Sequence, residues 1–233
     1  MSLEDIYVSG AYNDMVPSWH VEESVGKARE ILRLLRSHHL APQTICEVGC
    51  GVGEVLRQLQ RGLPETCELT GYDISPQAID RARARENDRL HFHLGDFRTD
   101  DTRTYDLLLV LDVVEHLEDY YSFLRSLKAR GTYKVFFFPL DLSVQSVLRP
   151  HGLLHTREAF AHLHYFTRET AIRALEDTGY RILDAVYTAD ALDSPTHRLG
   201  RRLLKWPRKA AFAVNHDWAV RMLGGYRLLV LAR

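Results

Sequence analysis

Three glycines, Gly49, Gly51 and Gly53, fall within five residues of the stretch EVGCGVGE, which begins at Glu47 and contains Cys50. Glycine loses more backbone freedom on folding than any other residue, so crowding it between an apolar run and VLRQLQ implies that a ligand must approach the main chain. Free N–H groups at the positive end of a following helix suit polar or anionic ligand groups. The spacing is G-x-G-x-G and lacks the G-x-x-G step of dinucleotide binders. Asp73 stands 20 residues after Gly53, where an acid can accept hydrogen bonds from both hydroxyls of a ribose. Ser75, just before Pro76, already holds the better helix-capping position, which leaves Asp73 available. Farther on, Gly95-Asp96-Phe97 offers a carboxylate for an exocyclic amine beside an aromatic ring, a combination that suits adenine. These residues together predict a nucleoside ligand.

Proton chemistry has several candidates. Glu115 and His116 are followed by Glu118 and Asp119. His116 could act as a general base, or Asp112, Glu115 and His116 could clasp a divalent ion if they share a helical face. Alternatively, these carboxylates simply favour the positive start of a helix around Leu117. Trp19-His20, with Tyr7 and Tyr12, predicts an aromatic N-terminal lid that points His20 at reacting groups; the competing reading is that Trp19 staples the helix beginning near Val21. His151, His155, His162 and His164 lie in a long connection. In HLHYF an extended chain would direct His162 and His164 to one side and Tyr165 to the other, with His164 touching the acceptor or serving as base. Carboxylate or cysteine companions at metal spacing are missing from that segment, so no metal ligands are expected. The stretch HRLGRRLLKWPRK carries Arg198, Arg201, Arg202, Lys205, Arg208 and Lys209 without an acid. It would suit an anionic membrane surface or a phosphorylated or lipid-linked acceptor, or else form a solvated helix over the last strands.

The elements that must position these groups follow from hydrophobic period. Val21, Val25, Ala28, Ile31, Leu32 and Leu35 mark one face of a first helix. Strands are predicted over Thr44–Val48, Cys67–Ile74, Leu90–Phe97, Tyr105–Leu111 and Gly131–Pro139, with helices between them. Such alternation argues for a doubly wound parallel sheet with helices on both faces. A long connection, Leu140–Phe166, precedes a helix over Arg168–Thr178 and a strand over Tyr180–Thr188. A second excursion, Ala189–Gly224, precedes the last strand, Tyr226–Ala232. Excursions longer than about 15 residues in a compact domain are commonly functional lids. The expectation is one domain: a helical cap over residues 1–43, a ligand-binding core over 44–140, and lids with terminal strands over 141–233.

With a formal charge of −1 and a pI near 6.9, no global field steers the chain toward nucleic acid. No apolar run reaches the roughly 18 to 20 residues of a spanning helix, and MSLEDIYVSG lacks the pattern of a secretory signal. A cytoplasmic location is therefore expected. Cys46, Cys50 and Cys67 lack zinc spacing, and in an extended chain the first two stand roughly 13 Å apart, too far for a disulfide.

In order and spacing, ICEVGCGVGEVL, GYDIS, HLGDF and YDLLLVLDVVEHLED resemble the four motifs of class I S-adenosylmethionine-dependent methyltransferases. The resemblance implies a Rossmann-like, seven-stranded, mostly parallel sheet whose last strand is antiparallel. It implies that Glu47, Gly49, Cys50, Gly51 and Gly53 hold the methionine part of the cofactor, with Asp73 and Ile74 at the ribose. Asp96 and Phe97 would place the adenine, and Leu111, Asp112 and Val113 would meet the methionine end. The expected function is methyl transfer from S-adenosylmethionine to an oxygen or nitrogen of a small molecule. Alternatives are an RNA or protein acceptor and a non-catalytic cofactor-binding partner subunit.

Overall fold

The computed structural model describes residues 3–189 and 199–233, and side chains from residue 6 to 189 and from 206 onward. Two short helices, α1 (Leu3–Val8) and α2 (Ala11–Met15), lead into the long α3 (Val21–Ser37). Then β1 (Thr44–Val48), α4 (Glu54–Gln60), β2 (Glu68–Asp73), α5 (Pro76–Arg83), β3 (Leu90–Leu94), α6 (Phe97–Asp100) and β4 (Tyr105–Leu111) alternate. Following a 3-10 turn over Val114–His116 come α7 (Tyr120–Leu127) and β5 (Gly131–Leu140). The remainder is α8 (Val144–Leu148), α9 (Gly152–Phe160), α10 (Arg168–Asp177), β6 (Ile182–Thr188), α11 (Leu199–Val214), α12 (His216–Leu223) and β7 (Tyr226–Ala232).

The seven strands form one sheet in the order β3-β2-β1-β4-β5-β7-β6. The first five pair in parallel, while β7 runs antiparallel to both β5 and β6. This is the expected architecture, including the reversed last strand. Because successive side chains of a strand face opposite ways, β4 serves two cores at once. Leu108 and Val110 join Leu124 of α7, Ala171 of α10 and Val220 of α12, whereas Leu107 and Leu109 join Ile31 of α3, Leu56 of α4 and Ile79 of α5. A sheet covered on both sides buries its strands, so ligands are left the edge where the five parallel strands end. The start of β7 returns Arg227 to that same edge, opposite Pro139 of β5.

Local chemistry sets the boundaries. Ser75 caps α5 by accepting from the Ala78 N–H, with Pro76 in the first turn. The third strand ends at Leu94, earlier than Phe97, because Gly95 turns the chain and Asp96 caps α6 through the Arg98 N–H. The helix after β4 begins at Tyr120 rather than around Leu117. Asp112 takes a left-handed backbone (φ 52) and Asp119 caps a separate α7, so Asp112, Glu115 and His116 do not share a helical face. On α3, Val25 is 58% exposed and its expected place is taken by Ser24 and Lys27, both buried. The three cysteines are buried free thiols.

Candidate functional site

All three glycines of the turn adopt left-handed backbone, with φ of 77 at Gly49, 52 at Gly51 and 75 at Gly53. A β-carbon would come within 2.6 Å of Val113 at Gly49 and 2.3 Å of Phe92 at Gly53, so two of the three positions are closed to side chains by packing as well as by φ. The turn is tied to β2 by its own donors: the Gly49 and Cys50 N–H groups both donate to the Tyr72 carbonyl, at 2.8 and 2.9 Å. Asp73 completes the tie. Its Oδ2 accepts the Gly51 N–H at 2.7 Å and its Oδ1 the Ser75 N–H at 2.8 Å. Burial raises the Asp73 pKa, against the pull of those two bonds. Asp73 therefore braces the glycine turn, and with Ile74 it lines the cavity. Cys50 lies buried below the turn, where Gly71 leaves it room: a β-carbon there would meet its Sγ at 2.7 Å.

Asp96 is chelated by the Arg98 guanidinium, at 2.9 and 2.6 Å to Oδ2. Burial works against its ionisation, yet the bonds from Arg98 hold the carboxyl below its usual range. Phe97 is buried beneath Tyr72, with ring centres 5.5 Å apart, and offers the cavity only part of its surface.

Beyond Leu111 the cavity wall is charged, and the charges come from three elements that the motifs do not join. Lys27 of α3 forms a salt bridge and hydrogen bond with Asp112 Oδ2, Arg227 Nε stands 3.9 Å from Asp112 Oδ1, and Glu23 pairs with Arg227. Burial opposes ionisation of Asp112, but Lys27 and then Arg227 hold it well below the usual carboxylate range. Glu47 is the opposite case. Only 2% exposed, it is pushed up to about 8 by burial, with Lys27 pulling down and Asp73 and Asp112 pushing up. Among the described residues, Glu47 Oε2 and Asp112 Oδ1 are buried without a hydrogen-bond partner. Two acidic oxygens without hydrogen bonds beside a glycine turn fit a cofactor that brings an ammonium and a sulfonium charge.

The Glu47 value carries a prediction. A raised folded-state pKa means that the native state holds a proton the unfolded chain gives up, so the contribution is full below about 4.5 and is lost as pH rises toward 8. Glu47→Gln should therefore gain stability relative to the parent between pH 5 and 8, by a few kcal/mol on the order-of-magnitude scale of such shifts. Denaturant unfolding at several pH values checks this; parallel pH profiles for the two proteins would contradict it.

The N-terminal segment closes the cavity from above. Trp19 Nε1 donates to Asn13 at 3.1 Å, Arg81 donates to the Pro17 carbonyl at 2.8 Å, and the Trp19 ring lies against Gly51. Tyr7 and Tyr12 pack with ring centres 4.7 Å apart, each with an edge contact to His116. His20, with a left-handed backbone (φ 54), lines the same space and meets Phe160 of α9 at 5.7 Å. Burial lowers the His20 pKa. Burial, reinforced by His162, lowers that of His116 to about 3. A base that weak accepts a proton poorly near neutrality.

The expectation for His164 is corrected. His162 lines the cavity, whereas His164 does not; it packs edge-on against Tyr120 at 4.7 Å. The physical reason is that the segment is not a regular strand: Ala161 is left-handed, and the N–H groups of Leu163 and His164 both donate to the Glu115 carbonyl, so alternation fails. Sequence reasoning passed over Lys27, Glu23, Arg227 and Asp141. A lysine between the apolar positions of α3 was a signal, as was an acid just past Pro139-Leu140 at a strand's carboxyl end.

The cavity is about 1310 Å³, is partly open to solvent, and runs from the glycine turn past Leu111, Asp112 and Val113 to α8 and α9. The basic stretch falls partly outside the described residues, which omit Arg198 and the side chains of Arg201, Arg202 and Lys205. Within its described part, Arg208 donates to the Gln145 side chain and, at 2.9 Å, to the Leu223 carbonyl, while Trp206 is exposed. Among the described residues, no helix is long and apolar enough to cross a membrane.

Known proteins share a stretch of sequence or the fold with this chain. A malonyl-[acyl-carrier protein] O-methyltransferase of Anoxybacillus flavithermus (strain DSM 21510 / WK1) is 45% identical over 47 residues, which are 20% of this chain and 18% of that protein. The match thus spans less than a fifth of that relative's length. The magnesium protoporphyrin IX methyltransferase of Synechocystis PCC 6803, solved with bound SAH, superimposes with a TM-score of 0.59 at 16% identity, over 90% of this chain and 83% of that one. The plantazolicin methyltransferase BpumL, solved with a monoazolic desmethylPZN analog and SAH, gives 0.59 at 16% identity over 99% of this chain and 93% of that one. At these identities the two structures establish the fold. The model of the methyltransferase domain matches residues 11–185, three quarters of the chain, which includes the glycine turn, Asp73, Asp96 and Asp112. The chain belongs to that family and is an S-adenosylmethionine-dependent class I methyltransferase.

Proposed function

We propose that the chain transfers the methyl group of S-adenosylmethionine to an oxygen or nitrogen nucleophile of a small molecule held under α8 and α9. The size of the cavity carries this reading. Sites for a single small ligand run from about 300 to 1,000 Å³, so about 1310 Å³ has room for a cofactor and an acceptor side by side. The cofactor supplies a methyl on a positively charged sulfur, a good leaving group.

The chain's own residues then have three tasks. Gly49, Gly51, Asp73 and Asp112 line one half and would hold the cofactor; Ser143, Ser146, Arg149 and His155 line the other and would hold the acceptor. Alignment at about 3 to 3.5 Å contributes much of the rate in such displacements. Tyr7, Tyr12 and Trp19 exclude water from the reacting centre. His20, facing the cavity and neutral because burial disfavours its charged form, is the residue to receive a proton from an acceptor hydroxyl. The acceptors in the names of similar proteins, a porphyrin and plantazolicin, agree in kind with a small-molecule reading.

Incubation of cell extract with methyl-labelled S-adenosylmethionine, followed by fractionation of the label, tests this proposal. Label in a compound of low molecular mass is expected. Label found only in RNA or protein would overturn it.

A further inference from the structure

We propose that Glu115, His116 and His162 form a binding site for one first-row divalent cation at the acceptor end of the cavity. One candidate ligand atom from each lies within 4.8 Å of the others. A cation about 2.0 to 2.2 Å from each ligand would hold them roughly 3 to 3.5 Å apart, so modest side-chain rotation closes the site. The ligand set is two imidazoles and a carboxylate, which suits Zn²⁺, Co²⁺, Mn²⁺ or Fe²⁺ better than Ca²⁺.

Three observations beyond proximity point to a cation. Glu115 is 0% exposed, and both its carboxylate oxygens are buried without a hydrogen-bond partner among the described residues. A buried carboxylate left in that state is costly, and a bound cation removes the cost. Second, both imidazoles are held by their Nδ1 atoms: that of His116 lies 3.2 Å from the Ala161 carbonyl, and that of His162 lies 2.7 Å from Asp141 Oδ2. A Nδ1–H donated to oxygen leaves the lone pair on Nε2, and a backbone carbonyl or carboxylate behind the ring is the usual support of a metal-bound histidine. His116 Nε2 stands 3.8 Å from Glu115 Oε1. Third, the two segments are sewn together. The Leu163 and His164 N–H groups donate to the Glu115 carbonyl at 2.8 and 3.1 Å, which sets His162 across from Glu115.

All three ligands and Asp141 line the main cavity, so the ion's remaining positions face the acceptor half. There it would take an oxygen of the acceptor and favour transfer of its proton to His20, the oxygen then attacking the methyl carbon while the sulfur keeps the electron pair of the broken bond. That role rests on the methyl-transfer reading above. Binding of the ion does not.

The test titrates the chelator-treated chain with Co²⁺ alone, by calorimetry and by visible absorption, without cofactor. One equivalent is expected, with a d–d spectrum showing imidazole and carboxylate ligation. His116→Ala and His162→Ala should each abolish it, and Asp141→Asn should weaken it about 10- to 100-fold. His164→Ala, outside the cluster, should bind as the parent does. If the alanine variants fail to fold, Asp141→Asn, which keeps every ligand, decides. Absence of stoichiometric binding by the parent, or parent-like binding by folded His116→Ala and His162→Ala, would overturn the site. S-adenosylmethionine titrated into the same samples separates the two claims: cofactor binding without Co²⁺ binding removes the ion site alone, and Co²⁺ binding without cofactor binding removes the methyl-transfer reading alone.

Discussion

Lys27→Ala should destabilise the protein by about 3 kcal/mol, because removing one partner of a buried ion pair leaves the other's charge without compensation. Lys27 is 7% exposed and bonds Asp112, whose remaining cation, Arg227, is 3.9 Å away and also engaged with Glu23. The pH dependence has a definite sign. Asp112 has a folded-state pKa below its unfolded value, so its contribution is present above about pH 4 and is lost as pH falls. The gap between parent and variant should therefore narrow on acidification. Replacing both residues, as Lys27→Met with Asp112→Asn, should cost less than Lys27→Ala alone, since no unpaired carboxylate is left and asparagine tolerates the left-handed backbone. Denaturant melts of the single and double variants check this; equal stability of Lys27→Ala and the parent at pH 7 would remove the pair from its structural role. The single variant should also lose cofactor affinity, since Asp112 and its left-handed backbone stand where β4 meets the cavity.

Gly53→Ala should be nearly as damaging. A left-handed backbone costs an L-residue roughly 1 to 2 kcal/mol, and overpacking typically adds about 1 to 3. Here the new methyl would lie 2.3 Å from the Phe92 ring, which is itself buried. A loss of about 2 to 5 kcal/mol is expected on those two grounds. They can be separated: Phe92→Leu in the Gly53→Ala background should recover part of the packing loss and none of the backbone strain. If the double variant were no more stable than Gly53→Ala, steric contact with Phe92 would not be the cause.

Much of the fold was legible because its signals are local. The apolar run Tyr105–Leu111, the Ser75-Pro76 cap and the glycines before α4 each announce their own structure within a few residues, and alternation of strand and helix then dictates the sheet. The cofactor half of the site could be read for the same reason, since each part sits at the end of its own strand. The acceptor half could not. Its elements α8 and α9 lie inside what reads as a featureless connection, without a single fully buried residue to set a period. The pairing of Lys27 with Asp112, and of Glu115 and His116 with His162, joins residues far apart in sequence through the sheet edge. Nor could alternation place His164, because the rule holds for strands and Ala161 turns the chain before the histidines begin. The helix expected from Leu117 starts at Tyr120 instead, for a related reason. Acids favour a helix start in general, but Asp119 is the one that uses this preference, capping α7 just beyond Leu117 and leaving Glu115 and His116 in a 3-10 turn.

The central claim is that the turn of Gly49, Gly51 and Gly53, braced by Asp73, is built for S-adenosylmethionine. Calorimetric titration of the full chain with S-adenosylmethionine, and separately with NAD, tests it most directly. Saturable one-site binding of S-adenosylmethionine, sharply weakened in Asp73→Ala and absent for NAD, is the expected result. Tight binding of NAD with no heat from S-adenosylmethionine would contradict the account.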